Sequence, residues 1–179
     1  SGVLPHLACP EDGVRALASV LAPGGAVGIM VYGELGRIGV YHAQDMLRML
    51  CGTEELATQV DLAKRVLPAL PHSNWLMKNA EQTFTAELDD VEIVDRFLHS
   101  CDQAYRVPGC VDLMAAGELR MTAFVPSLFY QPETFVVDPV VLARVKAMDQ
   151  LEQYAFAELV SGIISTHSFF AVRQEDPPR

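Results

Sequence analysis

Residues Ala26-Val27-Gly28-Ile29-Met30-Val31-Tyr32 form an apolar run in which no polar side chain alternates with the apolar ones. Such a run is expected of a parallel strand that helices bury on both faces. What precedes it agrees. Pro10 with Glu11 and Asp12 opens a helix, Val14, Leu17, Ala18 and Leu21 recur at helical spacing, and Gly24-Gly25 stops that helix just before the strand. Helix, glycine turn and buried strand together predict an α/β fold. Open α/β sheets bind ligands beyond the carboxyl ends of their strands, so Tyr32-Gly33 marks the first place to look for a site.

After Gly33 the pattern turns helical. Ala43, Met46, Leu47 and Leu50 share one face; Thr53 can cap a second helix whose stripe is Leu56, Val60, Ala63 and Leu67 before Pro68 ends it. Residues 71–85 are punctuated by Pro and Asn and read as loop, and a short helix is expected from Asp90 to Leu98. Helices inserted between two strands commonly roof a pocket, so residues 38–106 are expected to form a substrate-side cap. The last third returns to the sheet. Pro108 opens a helix that Gly117 closes, and Leu119, Met121, Ala123 and Val125 alternate onto one face of a less buried strand. Asp138-Pro139 starts a long helical segment with Leu142, Val145, Met148 and Leu151 in register, and His167 to Arg173 is the final strand. The three strands are expected to share one sheet, the last lying between the other two and antiparallel to both.

Charge narrows the partners. Thirteen Lys and Arg against 23 Asp and Glu leave a net charge of -10, so phosphate backbones and anionic membrane surfaces are repelled; neither nucleic acid nor a membrane is an expected partner. Half of the residues are hydrophobic, enough to bury a core in one domain or a large piece of one. Cys9, Cys51, Cys101 and Cys110 form no CxxC framework, and reduced thiols in a cytoplasm are the simplest reading. His99 with Cys101, and His6 with Cys9, lack a second pair at zinc spacing, so no metal site is expected.

Four separated segments carry a family resemblance. They are Gly2-Val3-Leu4-Pro5-His6-Leu7 with Leu21-Ala22-Pro23-Gly24-Gly25, then Val31-Tyr32-Gly33 with Gly36-Arg37-Ile38-Gly39-Val40-Tyr41, then Asp95 to Tyr105, and finally Glu158-Leu159-Val160-Ser161-Gly162 leading to His167. In this order they resemble the second half of a class I S-adenosylmethionine-dependent methyltransferase. The resemblance implies a partial Rossmann-like sheet with S-adenosylmethionine as cofactor, in a chain that begins mid-domain. The Gly-rich cofactor loop would lie upstream, since no GxGxG stands in these residues. It also implies cofactor contacts from Gly2, Leu4 and His6. Pro5 stands where the family usually carries the first His of a pair, so only His6 can inherit an imidazole's role.

Methyl transfer from a sulfonium needs alignment and exclusion of water more than it needs catalytic side chains. A base helps only when the nucleophile arrives protonated, and His6 is the candidate; its alternative is simply to hold the loop by hydrogen bonds. Tyr32, Arg37, Tyr41, Asp102 and Tyr105 are the candidate substrate-binding residues. Each has a structural alternative: Tyr32 as core edge, Arg37 and Tyr41 as loop anchors, Asp102 as a turn cap and Tyr105 as filler. A second function is also open, a non-catalytic interaction domain that keeps the fold. If strands that normally pair beside the opening segment are absent, the exposed edge should self-associate, and the chain alone should hold S-adenosylmethionine weakly or not at all.

Overall fold

A computed structural model describes residues 2–78, 89–99 and 101–176. In chain order the elements are α1 (Pro10–Val20), β1 (Ala26–Gly33), α2 (Ile38–Cys51), α3 (Leu56–Val66), α4 (Trp75–Lys78), α5 (Asp90–Ile93), β2 (Ala104–Tyr105), α6 (Val107–Ala115), β3 (Leu119–Phe124), α7 (Pro139–Lys146), α8 (Gln150–Ser161) and β4 (Thr166–Arg173). They divide into a sheet unit, Ser1–Leu35 with Cys101–Arg179, and a helical unit, Gly36–Ser100. No helix among the described residues is long and apolar enough to cross a membrane.

The sheet has the order β2-β1-β4-β3, and β4 runs antiparallel to both β1 and β3, as the sequence predicts. β1 departs from expectation. Its long partner is β4, its parallel pairing with β2 covers only Tyr32 and Gly33, and its burial alternates instead of being complete. Ile29 and Val31 face a core built with Val14 of α1, Val107, Cys110 and Met114 of α6, and Phe169 of β4. Gly28, Met30 and Tyr32 point to the other face, where Phe170 of β4 is 48% exposed. The apolar run therefore reflects one buried face and one partly exposed face, a distinction that composition alone does not carry.

β3 also corrects its expected pattern. Met121 pairs with Ala171 and Ala123 with Phe170, so Thr122 is an extra residue, a β-bulge. Leu119 and Phe124 are buried, while Ala123 and Val125 are exposed, because the bulge reverses which face each later residue takes. The long helical segment after Asp138 is two helices. Asp138 caps α7 by accepting from the Val140 and Val141 amides, and Asp149 with Glu152 forms a capping box that starts α8. At the end of β1, Gly33 has no alternative: a Cβ there would lie 2.3 Å from the Ile164 carbonyl oxygen. That approach lets the Gly33 amide donate to the Ser165 carbonyl at 2.8 Å.

The helical unit has its own core of Val40, Ala43, Leu47, Leu67, Leu76 and Phe97. Burying a side chain such as Leu47 contributes about 1.5–3 kcal/mol. Gly39 lets α2 meet α4, since a Cβ on it would come within 2.5 Å of the Leu76 backbone. Thr53 does not cap α3; Glu55 occupies that position without a side-chain bond, and Leu56 is exposed rather than part of the buried stripe. Asp89 caps α5 by accepting from the Glu92 amide, and Val94–Leu98 continues as a π turn. Expected loop residues 79–85 lie outside the described residues. The unit ends at Ser100 and not at 106, because Ala104 and Tyr105 pair with β1.

Candidate functional site

The opening segment folds as a 3-10 turn, Leu4–His6, with Pro5 in its first turn and Leu4 and Pro5 buried. Anchored by those two residues, His6 stands over the carboxyl end of β1. Its Nδ1 lies 3.0 Å from the Cys101 carbonyl oxygen and its Nε2 lies 3.2 Å from the Tyr32 hydroxyl. A carbonyl can only accept, so Nδ1 carries the proton in this bond; in the neutral ring Nε2 then accepts from the Tyr32 hydroxyl. The two rings meet edge to face, with centroids 5.5 Å apart. His6 and Tyr32, singled out separately in the sequence, thus form one pair.

The segment that supplies the Cys101 carbonyl is tied down at several points. The Gln103 amide donates to the Pro5 carbonyl at 3.1 Å, and the Glu34 amide donates to the Tyr105 carbonyl at 3.0 Å. Asp102 lies half-buried in this segment. Tyr105 pairs with Gly33, and side chains alternate along a strand, so its ring takes the face opposite Tyr32, against α6. Its hydroxyl donates to Gln103 Oε1 at 3.3 Å. Burial, reinforced by the carboxylate of Glu11, pushes the Tyr105 phenol up to about 12. Tyr105 is therefore a neutral packing and hydrogen-bonding group, placed beside Tyr32 in the sheet but not on its face.

Arg37 and Tyr41 belong to the helical unit. Arg37 is buried, its Nε donates to the Tyr41 hydroxyl at 3.3 Å, and its guanidinium lies 5.6 Å from the centre of the Tyr41 ring. Of the expected cofactor contacts, Leu4 gives its side chain to the core. Gly2 has a positive φ and lies so close to Met30 that a Cβ would meet its Cε at 3.0 Å. Both border an apolar groove of about 370 Å³ along β1 and α1, with Val3, Leu17, Val27 and Met30 among its walls. Gly2, Leu4 and His6 bring no carboxylate that could hold a ribose, so these three residues do not by themselves make an adenosyl site.

A second polar cluster escaped the reading of the sequence. Glu158 on α8 and His167 on β4 are fully buried. Glu158 Oε2 accepts from the Val107 amide at 2.9 Å, and Oε1 lies 3.2 Å from His167 Nε2, close enough for an ion pair though not aligned as a hydrogen bond. His167 Nε2 donates to the Tyr105 carbonyl at 3.0 Å, and Nδ1 lies 2.8 Å from the Tyr130 hydroxyl. Tyr130 stacks on Phe124 and burial pushes its phenol far up. The signal in the sequence was a Glu and a His inside otherwise apolar, family-like segments.

No protein-family model matches the chain. One curated relative, the uncharacterized protein syc1184_c of Synechococcus sp., is 28% identical over 180 residues, which take in 98% of this chain and 43% of the relative. Two solved structures of PKMT2 from Rickettsia typhi, a methyltransferase, match 98% of this chain at 13% identity. The TM-score is 0.72 for one and 0.73 for the other, which is a complex with AdoHcy; the chain covers 34% and 35% of them. The chain thus has a class I methyltransferase-like α/β fold, and its coverage fits part of such a domain. It spans less than half the length of the proteins it matches.

Proposed function

We propose that these residues form the carboxyl-terminal part of the methyltransferase domain of a larger S-adenosylmethionine-dependent enzyme. The observation that carries this reading is the likeness of nearly the whole chain to a methyltransferase that was solved with AdoHcy. Two features of the sheet unit support it. The His6–Tyr32 pair stands at the carboxyl end of β1, the end where open α/β sheets act on ligands. The face of β1 and β4 opposite the core carries Met30, Gly28 and the half-exposed Phe170, a surface suited to cover by further elements of a larger enzyme.

The cofactor, when bound, supplies a methyl group on a sulfonium. This chain's residues orient and manage protons. His6 is held by the Cys101 carbonyl at Nδ1, which directs the basic Nε2 at the Tyr32 hydroxyl. In this reading Tyr32 accepts a proton from the incoming nucleophile as it passes its own to Nε2, so that the pair acts as one base. Asp102 and Tyr105 belong to the segment that supplies the Cys101 carbonyl. The helical unit, in which Arg37 Nε donates to the Tyr41 hydroxyl, is proposed as the substrate-side element.

Photolabelling tests this reading. Ultraviolet irradiation of the intact gene product with methyl-tritiated S-adenosylmethionine should label the peptide that carries His6 or the one that carries Tyr32, and excess S-adenosylhomocysteine should suppress the label. Absence of suppressible label anywhere in the protein would refute the proposal.

A further inference from the structure

The buried carboxylate and imidazole of Glu158 and His167 are not needed to fill space. An apolar pair of similar volume in a site this dry would stabilise the fold as well or better, because two charged or strongly polar groups lose their hydration there. What the polar pair provides is directional. Its bonds converge on a short stretch of backbone: the Tyr105 carbonyl, which accepts from His167 Nε2, and the Val107 amide, which donates to Glu158 Oε2. Val107 opens α6, where amides lack partners within the helix; no side chain of the cap residue Arg106 fills that role, and Pro108 has no amide hydrogen to offer. The same Tyr105 carbonyl also accepts from the Glu34 amide just past β1. Both of its lone pairs are used.

We propose that Glu158 and His167 are positioning residues, a buried clamp that fixes the Cys101–Val107 segment and, through it, the imidazole of His6. The path is continuous. Glu158 and His167 hold Val107 and Tyr105, Gln103 of the same segment donates to Pro5 beside His6, and Cys101 accepts from His6 Nδ1. Tyr130 completes the clamp from the other side by engaging His167 Nδ1, and its stacking on Phe124 fixes the ring from which that hydroxyl projects. A shift of the segment moves the acceptor that orients His6, and with it the direction of Nε2. The catalytic relevance of this positioning rests on the methyltransferase reading; the clamp itself does not.

Two substitutions separate positioning from general stability. Glu158→Gln keeps the shape but replaces two acceptors by one acceptor and one donor, so either the Val107 amide or His167 Nε2 faces an NH2 group. His167→Phe places an apolar ring beside Phe124 and Tyr130, and removes the donor to Tyr105. The measurement is amide hydrogen exchange by NMR on the full chain. In both variants the Val107, Glu34 and Gln103 amides should exchange at least about tenfold faster, while amides of α1 and β3 keep wild-type rates. Wild-type exchange at all three amides in a folded Glu158→Gln protein would overturn the clamp, as would a uniform acceleration across the sheet, which is the mark of lost global stability. If His167→Phe fails to fold, Glu158→Gln decides alone. Neither readout involves cofactor, so a protein that binds no S-adenosylmethionine would sink the proposed function and leave the clamp standing.

Discussion

His6 shows how a residue can be legible in a sequence while its role is set by something that is not. An imidazole after a family-like strand end can be singled out by eye, but the bond that fixes its tautomer comes from a main-chain carbonyl 95 positions away. Every residue has such a carbonyl, so no residue type marks this one. Tyr32 was legible as the end of a buried run, and its partnership with His6 follows from the 3-10 turn that Pro5 imposes. If the pair acts as one base, Tyr32→Phe should lower turnover of the intact enzyme nearly as far as His6→Ala does, by ~10²-fold, without shifting either melting curve by more than a few degrees. Turnover of Tyr32→Phe at the wild-type rate, with His6→Ala impaired, would confine the role to His6. Tyr105 was legible as part of the segment, yet the alternation of a two-residue strand puts its ring on the other face.

At the scale of elements, the errors share a cause: a stripe of apolar residues records which positions are apolar, not where the chain slips or stops. The bulge at Thr122 shifts the register of β3 by one, and nothing in Leu119 to Val125 announces it. The break between α7 and α8 could have been read, since Asp149 followed by Glu152 at the third helical position is a capping box. Apolar spacing carried through it and concealed the signal. The turn before α7 is joined to that helix by Glu133 Oε2, 2.7 Å from Lys146 Nζ. Lys146 is the chief cause that holds the Glu133 carboxyl below its ordinary value of 4.5. A lowered folded value means the pair adds stability above pH 4.5 and loses it as pH falls through that lower value. The pair is half-exposed, so its worth is small. The difference in denaturant midpoint between wild type and Glu133→Gln should be measurable at about pH 6 and shrink as pH falls below 4.5, as linkage requires. A difference that persists unchanged in acid would mean the pair contributes through packing alone.

For the molecule as a whole, the α/β class was legible from run lengths and turn residues, while the single mixed sheet and the place of its last strand match what the family resemblance implies for a closing strand pair. The sequence did not convey that one sheet face stays partly exposed. Phe170 and Val125 are each 48% exposed, and along Ala26–Val31 the edge of β1 away from β4 has no strand partner among the described residues. Such an edge is a template for pairing. Sedimentation of the purified 179-residue chain over a concentration series should show dimers or larger species; a monomer at every concentration would argue that this edge and face are adequate as they stand. The central claim, that these residues are one part of an S-adenosylmethionine site, is tested most directly by calorimetric titration of S-adenosylhomocysteine into the intact gene product and, in parallel, into the 179-residue chain. The account predicts saturable binding to the intact protein, on the order of 1 μM or about -8 kcal/mol, and no saturable heat from the chain alone. No binding to the intact protein, or equal affinity for both, would contradict it.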